Sequence, residues 1–116
     1  MTMMRSSRSK YGSRKVTVGG VTFDSQKEYR RFCELSLLER AGKITELQRQ
    51  VKFELIPSQK GYDGKVLERA CSYVADFVYK QDGRWVVEDA KGYKTPEYRL
   101  KKKMMLYFHG VQVKEV

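Results

Sequence analysis

Two acids and one lysine stand at strand positions where apolar residues are expected. Asp76 interrupts one β-forming run, and Asp89 and Lys91 end the next. Because residues two apart in a strand share a face, we expect Asp89 and Lys91 to point together and Glu88 to point the other way. A charge inside an apolar strand is costly unless it is paired or bound to a metal. These positions are therefore the first candidates for function.

The chemistry available to this group is that of a divalent cation. Mg²⁺ prefers carboxylate oxygens, so Asp76 and Asp89 on adjacent strands can share one ion, with the main-chain carbonyl of Ala90 as a candidate further ligand. The ion polarises a phosphoryl oxygen and lowers the pKa of a bound water. Lys91 can position that water or stabilise charge growing on the phosphate. Glu28, in a predicted helix, is a candidate third acid and ligand.

Each residue also has a structural explanation. Asp76 can be an edge-strand charge or the partner of a lysine, and Asp89 with Lys91 can be a surface ion pair. Glu28 fits the acidic position of a helix capping box. Glu88 is a rival metal ligand, although the shared face favours Asp89. A D-x-K pattern alone is weak evidence for a metal site. The full order, an aspartate in one strand, a hairpin, D-x-K in the next strand and then a capped basic helix, is more specific.

The surrounding sequence predicts a mixed sheet flanked by helices, an α/β (α+β) fold behind an N-terminal β-hairpin. The predicted elements are a hairpin over 15–23 turning at 19–20, a helix over 25–41, a strand over 50–57, a loop over 58–65, strands over 67–80 and 85–91, a helix over 95–109 and a strand over 111–116. Helical spacing predicts one buried apolar stripe on each helix. The stripes comprise Tyr29, Phe32, Cys33, Leu37 and Ala41, and then Leu100, Met104, Tyr107 and Phe108.

The charge balance favours a polyanionic partner. The chain has 116 residues and a net charge of +10. We predict a flexible basic arm over 1–11 and a single domain over 12–116. Basic side chains that neutralise phosphates release counterions, so DNA is the expected partner; the alternative is a basic surface that only favours solubility. The predicted phosphate-binding residues are Lys10, Arg14, Lys15, Lys94, Arg99, Lys101, Lys102 and Lys103.

Composition excludes several other classes of site. Two cysteines and one histidine are too few for the usual zinc constellations. No apolar run approaches the roughly 20 residues that span a bilayer, and no secretory signal is recognisable. We therefore expect a cytoplasmic protein without a membrane partner.

With these residues identified, the chain resembles the PD-(D/E)XK, or restriction-endonuclease-like, nuclease superfamily, whose core order is helix, three strands, helix, strand. On that resemblance Glu28, Asp76 and the run Asp89-Ala90-Lys91 occupy the motif positions. Gln50 lies where related nucleases sometimes carry a polar helper near the metal. No proline precedes Asp76, and aspartate at 89 replaces the commoner glutamate. The chain also resembles a small phage and prophage family of unknown function, through residues 10–12, 23–28, 50–55, 73–77 and 87–92.

The resemblance implies a Mg²⁺- or Mn²⁺-dependent endodeoxyribonuclease of phage or prophage DNA metabolism, in the cytoplasm of a bacterial host. Branched or recombination intermediates are the substrates that it suggests first, and a homodimer is a candidate arrangement. Two alternatives stay open: a DNA-binding module without catalysis, and an interaction protein of a phage replication or packaging assembly. Saturable metal binding favours the nuclease, whereas DNA affinity with little salt dependence favours the interaction protein.

Overall fold

The computed structural model describes residues 14–116; the predicted arm over 1–11 and Lys10 lie outside the described residues. The elements are β1 (Val16–Val18), β2 (Val21–Phe23), α1 (Gln26–Arg40), β3 (Thr45–Ile56), β4 (Gln59–Lys60), β5 (Val66–Glu68), β6 (Cys71–Gln81), β7 (Arg84–Asp89), α2 (Pro96–His109) and β8 (Lys114–Glu115). The main sheet has the strand order β3-β6-β7-β8. Its first two pairings are antiparallel and β7–β8 is parallel. The expected α+β fold is confirmed: a mixed four-stranded sheet, two helices and an N-terminal antiparallel strand pair.

Local chemistry accounts for where the main elements begin and turn. The β1–β2 hairpin turns through Gly19 and Gly20 with φ of 59° and 82°, the left-handed pair of a type I′ turn. Ser25 caps α1 by accepting a hydrogen bond from the Glu28 N–H at 3.1 Å. Thr95 caps α2 in the same way, with Pro96 as the first helical residue. These predicted turns and caps are confirmed.

The two helices cover opposite faces of the sheet. Val78 and Val87 pack in a cluster with Met105 of α2, whereas Phe77 packs in a second cluster with Leu35 of α1. Neighbouring residues of a strand point to opposite faces, so the two clusters lie on opposite sides. Each helix therefore buries its own side of the same strands.

Strand β6 changes face in its middle. Ala75 packs in the α2 cluster and Phe77 in the α1 cluster, although residues two apart normally share a face. The residue between them is Asp76. In the neighbouring strand, Gln50 has a φ of 53° between the paired residues Arg49 and Val51. Both strands are thus interrupted at the same level, where two polar side chains leave the regular pleat.

The predicted stripe of α1 was partly wrong: Phe32 packs against the core, but Leu37 and Ala41 are exposed. Leu37 is 62% exposed, and Leu35 is the fully buried leucine. The buried face also carries two charged groups, Glu28 and the half-buried Arg31. The spacing of apolar residues cannot predict a buried helix face that also carries charged residues paired with other side chains.

The predicted stripe of α2 was also partly wrong, since only Met104 of its four residues packs against the core. Leu100, Tyr107 and Phe108 are exposed, whereas Tyr98 and Met105 are buried. Lys101 and Lys102 are half-buried. The long apolar stems of lysines can cover apolar surface while their charged ends reach water. The helix thus presents part of its apolar surface to solvent.

The strand limits differ from the predictions at three places. The first sheet strand begins at Thr45, earlier than predicted, and the last is only Lys114–Glu115. The predicted loop over 58–65 and the predicted strand over 67–80 are partly wrong, because β4 and β5 form a separate two-stranded pair. The short pairing of residues 59–60 with 66–68 lacks the apolar alternation from which a strand is predicted.

A buried ion pair ties α1 to β7. The Arg31 guanidinium donates two hydrogen bonds, of 2.8 and 2.7 Å, to the fully buried Glu88 carboxylate. Tyr79 donates a third through its hydroxyl. Burial alone would raise the pKa of Glu88, but these donors lower it below its usual value. Glu88 is therefore a satisfied structural anion on the α1 face.

We predict that Arg31→Met destabilises the protein by about 3 kcal/mol, because it leaves the buried Glu88 charge with only the exposed Lys114 ammonium, 4.0 Å away, as a cation. Adding Glu88→Gln should recover a large part of that loss, since the neutral amide can still accept from Tyr79. Urea unfolding of the single and double variants measures both quantities. Equal instability of the two variants would contradict this assignment.

Candidate active site

The site begins where the β6–β7 ladder stops. The last paired residues are Phe77 and Glu88. One step further, the Ala90 N–H donates to Oδ2 of Asp76 at 2.8 Å. A carboxylate has thus replaced the strand carbonyl as acceptor. Asp76, only 6% exposed, is fixed at the point where the two strands separate.

Asp89 lies beside Asp76 with one oxygen left over. The Tyr73 hydroxyl donates to Oδ2. The Lys91 ammonium lies 3.1 Å from Oδ1, yet Oδ1 is buried and accepts no hydrogen bond. The charge partner of this oxygen is therefore the Lys91 ammonium, and the other close neighbour of the carboxylate is Asp76.

Glu28 completes the group from the other side. Its Oε1 accepts from the Asp24 N–H at 2.7 Å, and its Oε2 accepts from the Gln50 amide at 2.8 Å. The same amide nitrogen lies 3.4 Å from Oδ1 of Asp76. Gln50 therefore bridges two carboxylates, a geometry made possible by its left-handed backbone.

The three buried acids repel one another. Burial, and then the neighbouring Asp76 carboxylate, raise the pKa of Asp89 to about 7. The same two causes, in the same order, raise the pKa of Glu28. Burial alone would lower the pKa of Lys91, but the Asp89 and Asp76 carboxylates outweigh it and raise the value. The Arg49 guanidinium, 3.6 Å from Oε2 of Glu28, opposes the rise in the Glu28 pKa without cancelling it.

The arrangement fits a hard divalent cation. Asp24, Glu28 and Asp76 each offer a carboxylate oxygen, all within 4.8 Å of one another. Asp89 is a neighbour of Asp76 outside that group of three. Oxygen-only ligands of this kind suit Mg²⁺ or Mn²⁺. The structure thus brings Asp24, Glu28 and Asp76 within reach of one ion, with Asp89 beside Asp76.

The predicted helper and the predicted main-chain ligand also lie here. Gln50 contacts both Glu28 and Asp76. Ala90 is adjacent, but the contact that it makes with Asp76 is through its N–H; a role for its carbonyl stays a prediction. Glu88 points to Arg31 on the opposite face, as the strand parity predicted.

Sequence reasoning missed two residues of the site. In a regular strand, Tyr73 would lie on the face opposite to Asp89. Their contact is possible only because β6 changes face at Asp76. Asp24 was treated only as the residue before a helix cap, although its position four residues before Glu28 in the chain was a usable signal. Its side chain is exposed and lies 3.3 Å from Lys15.

Five of the predicted basic residues line two hollows beside α2. Lys101 lies with Lys91 on a cleft of about 470 Å³ at the start of α2. A second hollow, on the β8 side of that helix, is lined by four others: Lys94, Arg99, Lys102 and Lys103. Glu115 approaches Lys94 at 3.9 Å and Lys102 at 3.2 Å, an acid that the sequence pattern did not associate with the cluster. Arg14 is exposed, and Lys15 pairs with Asp24.

Among residues 14–116, no helix is long and apolar enough to cross a bilayer.

We predict that Asp89→Asn stabilises the metal-free protein at pH 8 by more than about 1 kcal/mol. The folded pKa of Asp89, about 7 against an ordinary 3.8, means that the native state holds the proton more tightly. Its contribution to stability is therefore fully present below about pH 4 and lost as the pH rises through about 7. Unfolding of both proteins with chelator from pH 4 to 8 checks this; a difference that stays constant with pH would contradict it.

Comparison with known proteins identifies a family without an assigned activity. The sequence model described as "Protein of unknown function (DUF1064)" matches residues 8–115. Neither a search of curated proteins nor a search of solved structures finds a match. Since the match covers nearly the whole sequence, the chain belongs to this DUF1064 family.

Proposed function

We propose that the protein is a Mg²⁺- or Mn²⁺-dependent endodeoxyribonuclease of the PD-(D/E)XK type. The observation that carries the proposal is the pair of buried, neighbouring carboxylates of Asp76 and Asp89, with the Lys91 ammonium 3.1 Å from Oδ1 of Asp89. Two acids that can share a cation, next to a lysine that lines a cleft, are what metal-assisted phosphodiester hydrolysis requires.

Asp76 and Asp89 would hold the ion, with Glu28 as a further direct or water-mediated ligand. When bound, the ion supplies a Lewis acid for a phosphoryl oxygen and a water of lowered pKa. Glu28 is kept in position by Gln50 and by the Asp24 N–H. These contacts fix the acids before any substrate arrives, so little reorganisation is needed on binding.

Lys91 is suited to stabilise developing charge. Its neighbours hold its pKa above the usual value, so the side chain is protonated at neutral pH and cannot act as a general base in this state. The Lys91 side chain is about one-third exposed and lines the cleft, where a phosphate oxygen can approach. A fixed cation at that position stabilises the charge that grows on the phosphate during attack.

The acids argue against a passive DNA-binding module. Glu28, Asp76 and Asp89 are at most 6% exposed, so each carries a desolvation cost that a surface for phosphates does not need. Without a cation they would repel DNA. Buried charges that lower the stability of the folded protein are characteristic of functional sites.

The wider setting follows from the same proposal. Phage or prophage DNA in the bacterial cytoplasm is the proposed substrate pool, with branched or recombination intermediates first. A symmetric pair of chains would place two sites on a duplex. The exposed apolar residues Leu100, Tyr107 and Phe108 on α2 support such a contact.

We predict that Asp76→Asn lowers the rate of Mg²⁺-dependent DNA cleavage at least about a hundredfold, while DNA affinity changes little. Cleavage of labelled flap, junction, duplex and single-stranded DNA, with chelator in parallel, measures the rate. The matched control is Asp82→Asn, the same substitution at an exposed turn residue with a φ of 53°, which asparagine adopts readily. Undiminished cleavage by Asp76→Asn would exclude the proposed mechanism.

Metal binding is testable without substrate. We predict saturable Mn²⁺ binding by the wild type, seen by calorimetry or as a rise in Tm with Mn²⁺ concentration. Asp89→Asn should remove most of that rise, because Oδ1 no longer carries charge, and Asp82→Asn should keep it. Equal Mn²⁺ responses in the two variants would show that Asp89 is not a ligand.

A further inference from the structure

The cleft beside the site has its own chemistry. It lies between the start of β6, the 91–95 loop and the first turns of α2, with a volume of about 470 Å³. That volume lies in the range of pockets that enclose one small ligand. The cleft can therefore hold a single nucleotide.

The cleft is continuous with the proposed active site. Two of its lining residues, Tyr73 and Lys91, contact the Asp89 carboxylate directly. Any group bound in the cleft is therefore next to the acids. A phosphate held at Lys91 would have its neighbouring nucleoside in this space.

The remaining lining residues suit a nucleoside. Tyr93 is 55% exposed and Val74 is 43% exposed, which gives an aromatic face and an aliphatic surface in one cleft. Lys101 supplies a second cation, 3.0 Å from Glu97. Aromatic rings bind any base by stacking, and lysines bind the adjoining phosphates.

We propose that this cleft binds one unpaired nucleotide of DNA next to the scissile phosphate, with its base on Tyr93 and a neighbouring phosphate at Lys101. This inference rests on the proposed function and narrows its substrate to DNA that offers an unpaired nucleotide, such as a flap, a junction or a single strand. A continuous duplex reaches the site only by extruding a base, which costs a few kcal/mol.

Base stacking is measured in a protein that cannot cut. Asp76→Asn protein with chelator is mixed with a flap that carries 2-aminopurine at the first unpaired position, so neither metal nor catalysis is needed. The fluorescence of the base should fall on binding, and adding Tyr93→Ala should abolish the fall and weaken flap affinity about 5- to 100-fold. Tyr93→Trp, which keeps an aromatic face, should retain both.

Two further variants give the controls. Tyr62→Ala removes a fully exposed tyrosine of the β4–β5 pair, outside the cleft, and should leave fluorescence and affinity unchanged. Lys101→Ala should lower the slope of log affinity against log salt by roughly 0.7 for single-stranded DNA. Glu97→Gln, which releases Lys101, should strengthen flap binding.

The proposal is overturned if Tyr93→Ala leaves the fluorescence change intact, or if a fully paired duplex quenches the probe as strongly as the flap. A stronger response to an RNA flap would overturn the choice of DNA. Failure of the proposed function is separate: the wild type would then cut none of the DNAs with Mg²⁺, whatever the fluorescence shows.

Discussion

The Asp76 carboxylate takes the place of a strand carbonyl at the end of the β6–β7 ladder, and the geometry of the site depends on that exchange. By accepting the Ala90 N–H, it satisfies the first backbone donor beyond the paired region and lets the two strands separate. Asp89 leaves the pairing with β6 but still pairs with Glu115 of β8, and its side chain lies beside Asp76. An interruption at the same level in β3 brings in Gln50. The acids are thus held by backbone geometry.

The sheet contains two kinds of buried carboxylate, and their surroundings indicate different roles. Glu88 receives a bidentate arginine and a tyrosine hydroxyl, so its charge is fully compensated and its role is to join α1 to β7. Asp89, one residue later, keeps an oxygen without a hydrogen bond. Because adjacent strand residues face opposite sides, the structural anion and the proposed catalytic one share a strand without sharing an environment.

Strong local signals made much of this fold predictable. The turn at Gly19-Gly20, the caps at Ser25 and Thr95, and the opposite directions of Glu88 and Asp89 follow from backbone preference and strand parity. The helix faces do not, because α1 buries Glu28 and Arg31 with their partners and α2 covers apolar surface with lysine stems. Tyr73 was out of reach for a related reason. Its contact with Asp89 depends on a face change in β6 that no residue in the sequence marks as such.

The proposed mechanism requires a divalent cation among these acids. Anomalous diffraction from a crystal grown with Mn²⁺ locates such an ion. We expect one strong peak between Asp76 and Asp89, with Oδ1 of Asp89 at roughly 2.2 Å, close to the distances that Mg²⁺ takes. A crystal with no such peak at millimolar Mn²⁺, or with Mn²⁺ only on exposed acids such as Asp63, would contradict it.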